Sequence, residues 1–266
     1  MQKLYIIKIG GNIIDDEKKV SAFIKNFASV KNKYSESSFI IVHGGGKTTT
    51  KLAAQLGINQ QMIDGRRVTD AETLKVVTMV YAGLINKNIV AQLQACDIDA
   101  VGLCGADGNI IKAHKRINSQ IDYGFAGDVD AVNSVFINSL LNQNLTIVIS
   151  PITHDKKGQL LNTNADTIAN KIAIAMSKLF RVELMYCFEM NGVLYNKEDE
   201  NSVIKTISNT SYQKLKEDKI ISDGMIPKLD NAFEAIHAGV TAVIIGNAVE
   251  LDLLIQKSKG TRIIHE

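Results

Sequence analysis

The stretch Phe39-Ile-Ile-Val-His-Gly-Gly-Gly-Lys-Thr-Thr-Thr-Lys-Leu52 decides the fold question. Four apolar residues run into three glycines and then into a segment of helical character. The Gly-Lys-Thr at 46–48 ends like a phosphate-binding P-loop, but that pattern needs a glycine where this chain has Ile41. What remains is a strand, a glycine turn and a helix. Glycine lets backbone approach a ligand closely, and the free N–H groups of a helix start attract anions. The stretch is either an anion-facing turn or a tight connection with no ligand. Both readings require a buried strand feeding a helix.

The same unit recurs along the chain. Apolar runs at 4–9, 39–42, 98–103, 145–149, 182–188 and 242–245 read as strands. Their near-continuous hydrophobicity suits parallel strands covered on both faces. Helical segments are expected near 16–33, 47–57, 70–95, 131–143, 165–178, 211–217 and 227–238. The alternation gives an α/β fold with a doubly wound, mainly parallel sheet. Thr69-Asp-Ala-Glu72 reads as a capping box, Pro227 belongs in a first helical turn, and Gly239 suits a helix end. Residues 108–127 read as a hairpin or flap, and 196–209 as loop. A lobe boundary is expected near 178–181, giving lobes 1–178 and 179–266.

Composition excludes several classes. In 266 residues, 30 basic and 28 acidic side chains leave a net charge of +2. That balance gives no reason to expect a nucleic-acid or membrane partner. No apolar run approaches the roughly 18 residues of a membrane span, and no signal-peptide pattern opens the chain. Cys96, Cys104 and Cys187 form no CxxC pair and read as reduced thiols of a cytoplasmic protein. The five histidines lack metal-ligand spacing, so no metal site is expected. His43 reads as a turn residue rather than an acid or base.

Four places carry chemistry. Lys8 interrupts the first apolar run just before Gly10 and Gly11. A buried ammonium is costly unless paired, so Lys8 either borders a ligand crevice at the strand end or snorkels to water. Asp64-Gly-Arg-Arg-Val-Thr69 sets two arginines before a helix, as a bidentate anion clamp or as a solvated pair. In Asn162-Thr-Asn-Ala-Asp166, Asn164 serves as helix cap and Asp166 enters the first turn. Ser222-Asp-Gly-Met-Ile-Pro-Lys228 puts a lysine in a first turn, where the helix dipole opposes it unless an anion binds there. Amines, glycine turns and one carboxylate at strand–helix transitions suit phosphoryl transfer, which rests on positioning and charge stabilisation.

In this order, YIIKIGG (5–11), IVHGGGK (41–47), DGRRVTD (64–70), GQLLNTNAD (158–166), SDGMIPK (222–228) and GTRI (260–263) closely resemble the acyl-glutamate kinases of the amino-acid kinase family. The resemblance spans nearly the whole chain. It implies an open three-layer αβα sandwich whose first lobe takes the amino acid and whose second takes ATP. It implies Lys8 and Lys228 on the phosphoryl group in flight, with Asp166 orienting both. Gly44, Gly45, Arg66 and Asn162 would hold the N-acyl-L-glutamate, Arg66 through a carboxylate. Gly10, Gly11 and Gly46 would meet phosphate. The nucleotide segment would fall on Glu189, Met190, Asn191, Gly192, Val193 and Leu194, and on Ile220, Ile221 and Ser222. Mg2+ is implied with ATP, held mainly through its phosphates and water. The implied reaction is attack of the side-chain carboxylate of N-acetyl-L-glutamate on ATP, in arginine biosynthesis. N-succinylglutamate as acceptor, a non-catalytic nucleotide-binding relative, or a relative acting on aspartate, carbamate or a nucleotide are the alternatives.

The chain departs from the family pattern at three points. Glu189 stands where aspartate is usual, and LCGADG (103–108) matches only in part. The first strand begins within a few residues of Met1, without the extra helix of arginine-inhibited hexameric relatives. The expectation is therefore a homodimer insensitive to arginine.

Overall fold

A computed structural model describes residues 1–63, 66–196, 198–221 and 225–265. Its strands are β1 (Lys3–Ile9), β2 (Ser38–His43), β3 (Met62–Ile63), β4 (Arg66–Arg67), β5 (Ala100–Leu103), β6 (Ile111–Lys115) and β7 (Ala126–Val132). They continue as β8 (Thr146–Ile149), β9 (Ile152–His154), β10 (Leu160–Thr163), β11 (Arg181–Phe188), β12 (Thr206–Ile207), β13 (Ala242–Asn247) and β14 (Thr261–Ile263). The helices are α1 (Gly11–Ile14), α2 (Glu17–Lys33), α3 (Gly46–Gln55), α4 (Ala71–Thr78), α5 (Asn86–Gln94), α6 (Ser134–Leu141), α7 (Ala165–Met176), α8 (Asn209–Glu217), α9 (Ile226–His237) and α10 (Leu251–Ile255).

Eight strands form the central sheet in the order β12-β14-β13-β11-β1-β2-β8-β5. From β13 to β5 every pairing is parallel, and only β13–β14 is antiparallel. Side-chain alternation along β1 divides the core. Leu4 and Ile6 join one cluster with Ile168 and Ile172 of α7 and Leu229 of α9. Tyr5, Ile7 and Ile9 join the opposite cluster with Phe23 and Phe27 of α2 and Val77 of α4. Two apolar cores on opposite faces of one sheet make the three-layer sandwich that the family resemblance implied.

Several local expectations need correction. The 131–143 segment is not all helix: Ala131 and Val132 end β7, and α6 starts at Ser134, capped by Asn133. The cap of α4 is Asp70, whose carboxylate accepts from Thr73 N at 2.7 Å. Thr69 instead donates its hydroxyl to Arg67 O, so no capping box forms there. The helix therefore starts one residue later, with the Asp70 carboxylate satisfying the first-turn N–H. The expected 70–95 helix is present as α4 and α5, joined by a π-helical turn at Met79–Ile85. His43 is the last residue of β2 and fully buried, not a turn residue. Residues 108–127 do form a hairpin, whose arms β6 and β7 close a small four-stranded barrel with β9 and β10. Within 196–209, Thr206–Ile207 pairs with β14.

Pro227 lies in the first turn of α9, and Gly239 follows that helix with φ +99°. Among the described residues, one helix, Ala71–Gln94, is long and apolar enough to cross a membrane by length and composition alone. Its buried face, including Val76, Val77, Val80 and Ile89, packs into the α2-side core.

Candidate active site

The site lies at the carboxyl ends of the parallel strands, where open α/β sheets place their ligands. Lys8 is the next even-numbered residue after Leu4 and Ile6, so its side chain leaves the sheet on the α7 side. There the start of α7 presents Asp166. Asn164 caps α7 by accepting from Asp166 N at 2.8 Å and Thr167 N at 3.1 Å. The cap fixes where the first turn points.

Lys8 Nζ stands 2.7 Å from Asp166 Oδ1 as an ion pair without hydrogen-bond alignment. Lys228, from the first turn of α9, donates to Asp166 Oδ2. The side chains of Lys8 and Asp166 are only 13% and 12% exposed, and that of Lys228 is 26% exposed. Burial alone pushes the Asp166 carboxyl upward. The charges of Lys8 and Lys228, with the Lys228 hydrogen bond, outweigh burial and hold it well below the usual carboxylate range. Tyr186, opposite Lys8 in register, donates its hydroxyl to Asp166 O at 3.3 Å. Two amines converge on one acid, with the helix start held from below.

Two cavities meet at this triad. The first, of ≈ 330 Å³, is lined by Gly44, Gly45, Arg66, Arg67, Asn162 and Asp166, among others. The second, of ≈ 710 Å³, is lined by Gly10, Asn12, Lys47, Met190, Met225 and Lys228, among others. Lys8, Gly11, Gly46, Met62 and Arg67 line both. A reactant in each cavity would therefore meet its partner beside Lys8.

The glycine turn forms one wall of this junction. Gly45 has φ +147°, and a Cβ there would lie 2.1 Å from Ile85 Cδ1. Only glycine fits that conformation and that gap. Asn162 donates from Nδ2 to Thr69 Oγ1 at 3.0 Å, which fixes its amide at the rim of the first cavity.

Several members of the site were not singled out by sequence reasoning. Arg67 is 8% exposed, donates from Nη2 to Gly46 O at 3.0 Å and Thr50 Oγ1 at 3.1 Å, and among the described residues leaves Nη1 buried without a partner. The Arg-Arg pair is the signal, and burial sets its second member apart from the first. Arg116 of the hairpin also lines the first cavity, held by a forked pair to Asp128. Asn12, Lys47 and Met225 line the second cavity.

The expected nucleotide segment divides. Met190 lines the second cavity. Glu189 turns instead to α1 and α2, where it accepts from Asn12 Nδ2 at 3.0 Å and pairs with Lys19. Asn191 Oδ1 accepts from Asn247 at 3.2 Å. Gly192 packs against Thr261 and Val203, and Val193 N donates to Thr261 Oγ1 at 2.8 Å. Val193, Leu194 and Ile221 are buried apolar residues, and Ile220 packs on the core. Ser222 lies outside the described residues.

The model of the Amino acid kinase family matches residues 3–247, and the chain belongs to that family. Among its relatives, the acetylglutamate kinase of Cytophaga hutchinsonii is 54% identical over 267 residues, covering 99% of each chain. The acetylglutamate kinase of Parabacteroides distasonis is 51% identical, covering 99% of this chain and all of the relative. Among solved structures, smu.665 from Streptococcus mutans UA159 superposes with TM-score 0.79 at 28% identity, covering 98% of each chain.

Proposed function

We infer that this chain is an ATP-dependent kinase that phosphorylates the γ-carboxylate of N-acetyl-L-glutamate, a step of arginine biosynthesis. The observation that carries the reading is the Lys8–Asp166–Lys228 triad at the meeting point of two cavities. Similarity to acetylglutamate kinases over nearly full length supports it.

The smaller cavity takes the acyl amino acid. Asn162 and the Gly44 and Gly45 backbone bind it, with Arg66 and Arg67 as the carboxylate clamp. The larger cavity takes ATP. Its Lys8, Lys47 and Lys228 suit phosphates, and Phe188, Met190 and Met225 suit a flat apolar base. Gly10, Gly11 and Gly46 bring backbone close to the phosphates. Residues 1–178 then form the acceptor lobe and 179–266 the nucleotide lobe.

The acceptor carboxylate is ionised at neutral pH, so no general base is needed. One of its oxygens bonds to the γ-phosphorus as the bond from that phosphorus to the β–γ bridging oxygen breaks. The electron pair leaves with ADP, and the product is an acyl phosphate. Lys8 and Lys228 face the equatorial oxygens, where negative charge spreads in the transition state. Asp166 keeps the two ammonium groups apart and aimed, so that little reorganisation is needed during transfer.

Among the described residues, no three His, Cys, Asp or Glu side chains gather into a metal cage. The cavity's own charged donors include lysines, so a Mg2+ ion would be carried by ATP phosphates and water. When bound, it neutralises phosphate charge. Exposed Met79 and Leu84 on the Ala71–Gln94 helix offer a face for a homodimer, and ATP use fits a cytoplasmic location.

The test is turnover with Mg-ATP and a panel of acylated glutamates, trapping the acyl phosphate with hydroxylamine. N-acetyl-L-glutamate should give the highest kcat/KM. Absence of hydroxamate from every acyl glutamate would overturn the reading.

A further inference from the structure

Beneath the glycine turn lies a buried polar network that phosphoryl transfer does not use directly. His43 and Asn86 are both fully buried. Polar groups buried so deeply are costly unless satisfied. His43 Nδ1 lies 2.9 Å from Gly44 O, a group that can only accept, so Nδ1 carries the ring proton. Burial pushes the His43 pKa down to about 4, with Lys87 adding to the same direction. The ring is therefore neutral, and Nε2 is free to accept from Asn86 Nδ2 at 3.3 Å. Asn86 Nδ2 also donates to Val148 O at 3.0 Å, and Asn86 Oδ1 accepts from Lys87 Nζ at 3.1 Å. Gly102 makes room for this amide, since a Cβ there would lie 2.0 Å from Asn86 Oδ1. The sequence thus leaves out two side chains, at Gly102 and Gly45, around one buried relay.

We propose that His43 is a positioning residue for the acceptor site: held by Asn86, it anchors Gly44 O on the core side and thereby turns the Gly45 N–H into the acceptor cavity. The physical step is the planarity of the peptide. In a trans peptide the carbonyl and the next N–H point to opposite sides. Fixing Gly44 O toward His43 therefore fixes the Gly45 N–H away from it. Among the described residues that N–H has no hydrogen-bond acceptor, and Gly45 lines the acceptor cavity. It is a donor prepared for an oxygen of the bound amino acid. The left-handed glycine turn would otherwise be free to flip its peptide, and His43 removes that freedom before the ligand arrives.

This inference rests on the acyl-glutamate kinase reading, and its test separates the two. Three variants are compared with the parent by steady-state kinetics in Mg-ATP and N-acetyl-L-glutamate. His43→Asn keeps an N–H near the Nδ1 position. His43→Gln places its amide nearer the Nε2 position, and His43→Leu keeps bulk without a donor. The KM for the acyl amino acid should rise about tenfold in His43→Leu and His43→Gln. His43→Asn should recover most of that loss. The KM for ATP should stay within about twofold in all three, because Gly10 and Gly11 follow β1 and the Gly46 N–H lies beyond the peptide that His43 holds. A merely structural histidine would affect both substrates alike, or would show no preference for Asn over Gln. Either pattern overturns the proposal. If His43→Leu does not fold, the Asn and Gln pair decides alone. Lack of turnover in the parent itself would sink the kinase reading, and this inference with it. Parent turnover with an unchanged acceptor KM in His43→Leu would sink only this inference.

Discussion

The two cavities that meet at Lys8 are built on different physical plans. The cavity proposed for the acceptor is small, ringed by arginines, Asn162, Asn164 and glycine backbone, and backed by fully buried polar contacts at His43, Asn86 and Thr69. The cavity proposed for the nucleotide has about twice the volume, ≈ 710 against ≈ 330 Å³, with Met190, Met225, Phe188 and lysines at its edge, while Met62 lines both. Recognition of a small, doubly charged acid needs fixed donors, because each misplaced donor leaves a buried charge unpaired. A nucleotide offers a large flat base, for which flexible apolar side chains suffice. Changes on the acceptor side should therefore be felt sharply, and changes on the nucleotide side softly.

The junction itself should give the largest effect. Lys8→Ala and Lys228→Ala should each lower kcat by about 10²–10³, the scale of losing one strong transition-state contact. Both should leave the KM values within a few-fold, measured by steady-state kinetics. Rates equal to the parent in both variants would remove the junction from the comparison altogether.

Gly45→Ala breaks the acceptor wall by sterics. The new methyl would meet Ile85 at 2.1 Å in a backbone conformation that alanine avoids. Acceptor affinity should fall by at least about tenfold, with about 1–3 kcal/mol lost in stability. Calorimetric titration and denaturant unfolding would read the two parts. A variant that binds like the parent would show that the wall is softer than its geometry implies.

The buried histidine marks the acceptor side in a pH profile as well. Its folded pKa lies near 4, below the ordinary 6.5. Between those values the unfolded chain binds a proton that the folded chain refuses. Stability should thus fall as pH drops through that window, by about 3 kcal/mol from this group once pH is below both values. Urea unfolding at pH 7 and pH 4.5 should show the loss, and His43→Gln should shrink it. An undiminished loss in that variant would assign the acid sensitivity elsewhere.

Smaller effects are expected across the larger cavity. Met190→Ala should raise the KM for ATP by only about two- to fivefold, since one flexible apolar contact is lost. The Lys19–Glu189 pair is about half exposed, so Lys19→Ala should change ATP affinity by less than about threefold. A tenfold loss from Lys19→Ala would show that Glu189 organises the nucleotide side more rigidly than its exposure suggests.

Much of this was legible in residue order, for physical reasons. Strands β1, β2, β8, β11 and β13 are buried on both faces, so their apolar runs were unmistakable. Lys8 was visible because an ammonium inside such a run needs a counter-charge. Asp166 was visible because Asn164 sets its turn. The short strands β9, β10, β12 and β14 were hidden, because two to four residues carry too little alternation. The division between Arg66 and Arg67 was also hidden, since only the tertiary contact with Gly46 and Thr50 buries the second. Glu189 was read as a nucleotide contact from its place in a motif. Its pairing with Asn12 and Lys19 depends on α1 and α2, which lie 177 and 170 residues earlier in the chain.

The π-helical turn at Met79–Ile85 has a consequence for how the Ala71–Gln94 helix can vary. Such a turn shifts the phase of everything after it relative to everything before it. Tyr81 and Ile85 are thereby brought against Gly45, while Asn86 begins the next segment facing His43. Deleting one residue within 79–85 would restore regular winding and swing the distal half by about 100°. The apolar stripe would survive in composition, but the partner of His43 would rotate out of reach. Length in this helix therefore sets the contact between Asn86 and His43 in its own right, as much as side-chain identity does.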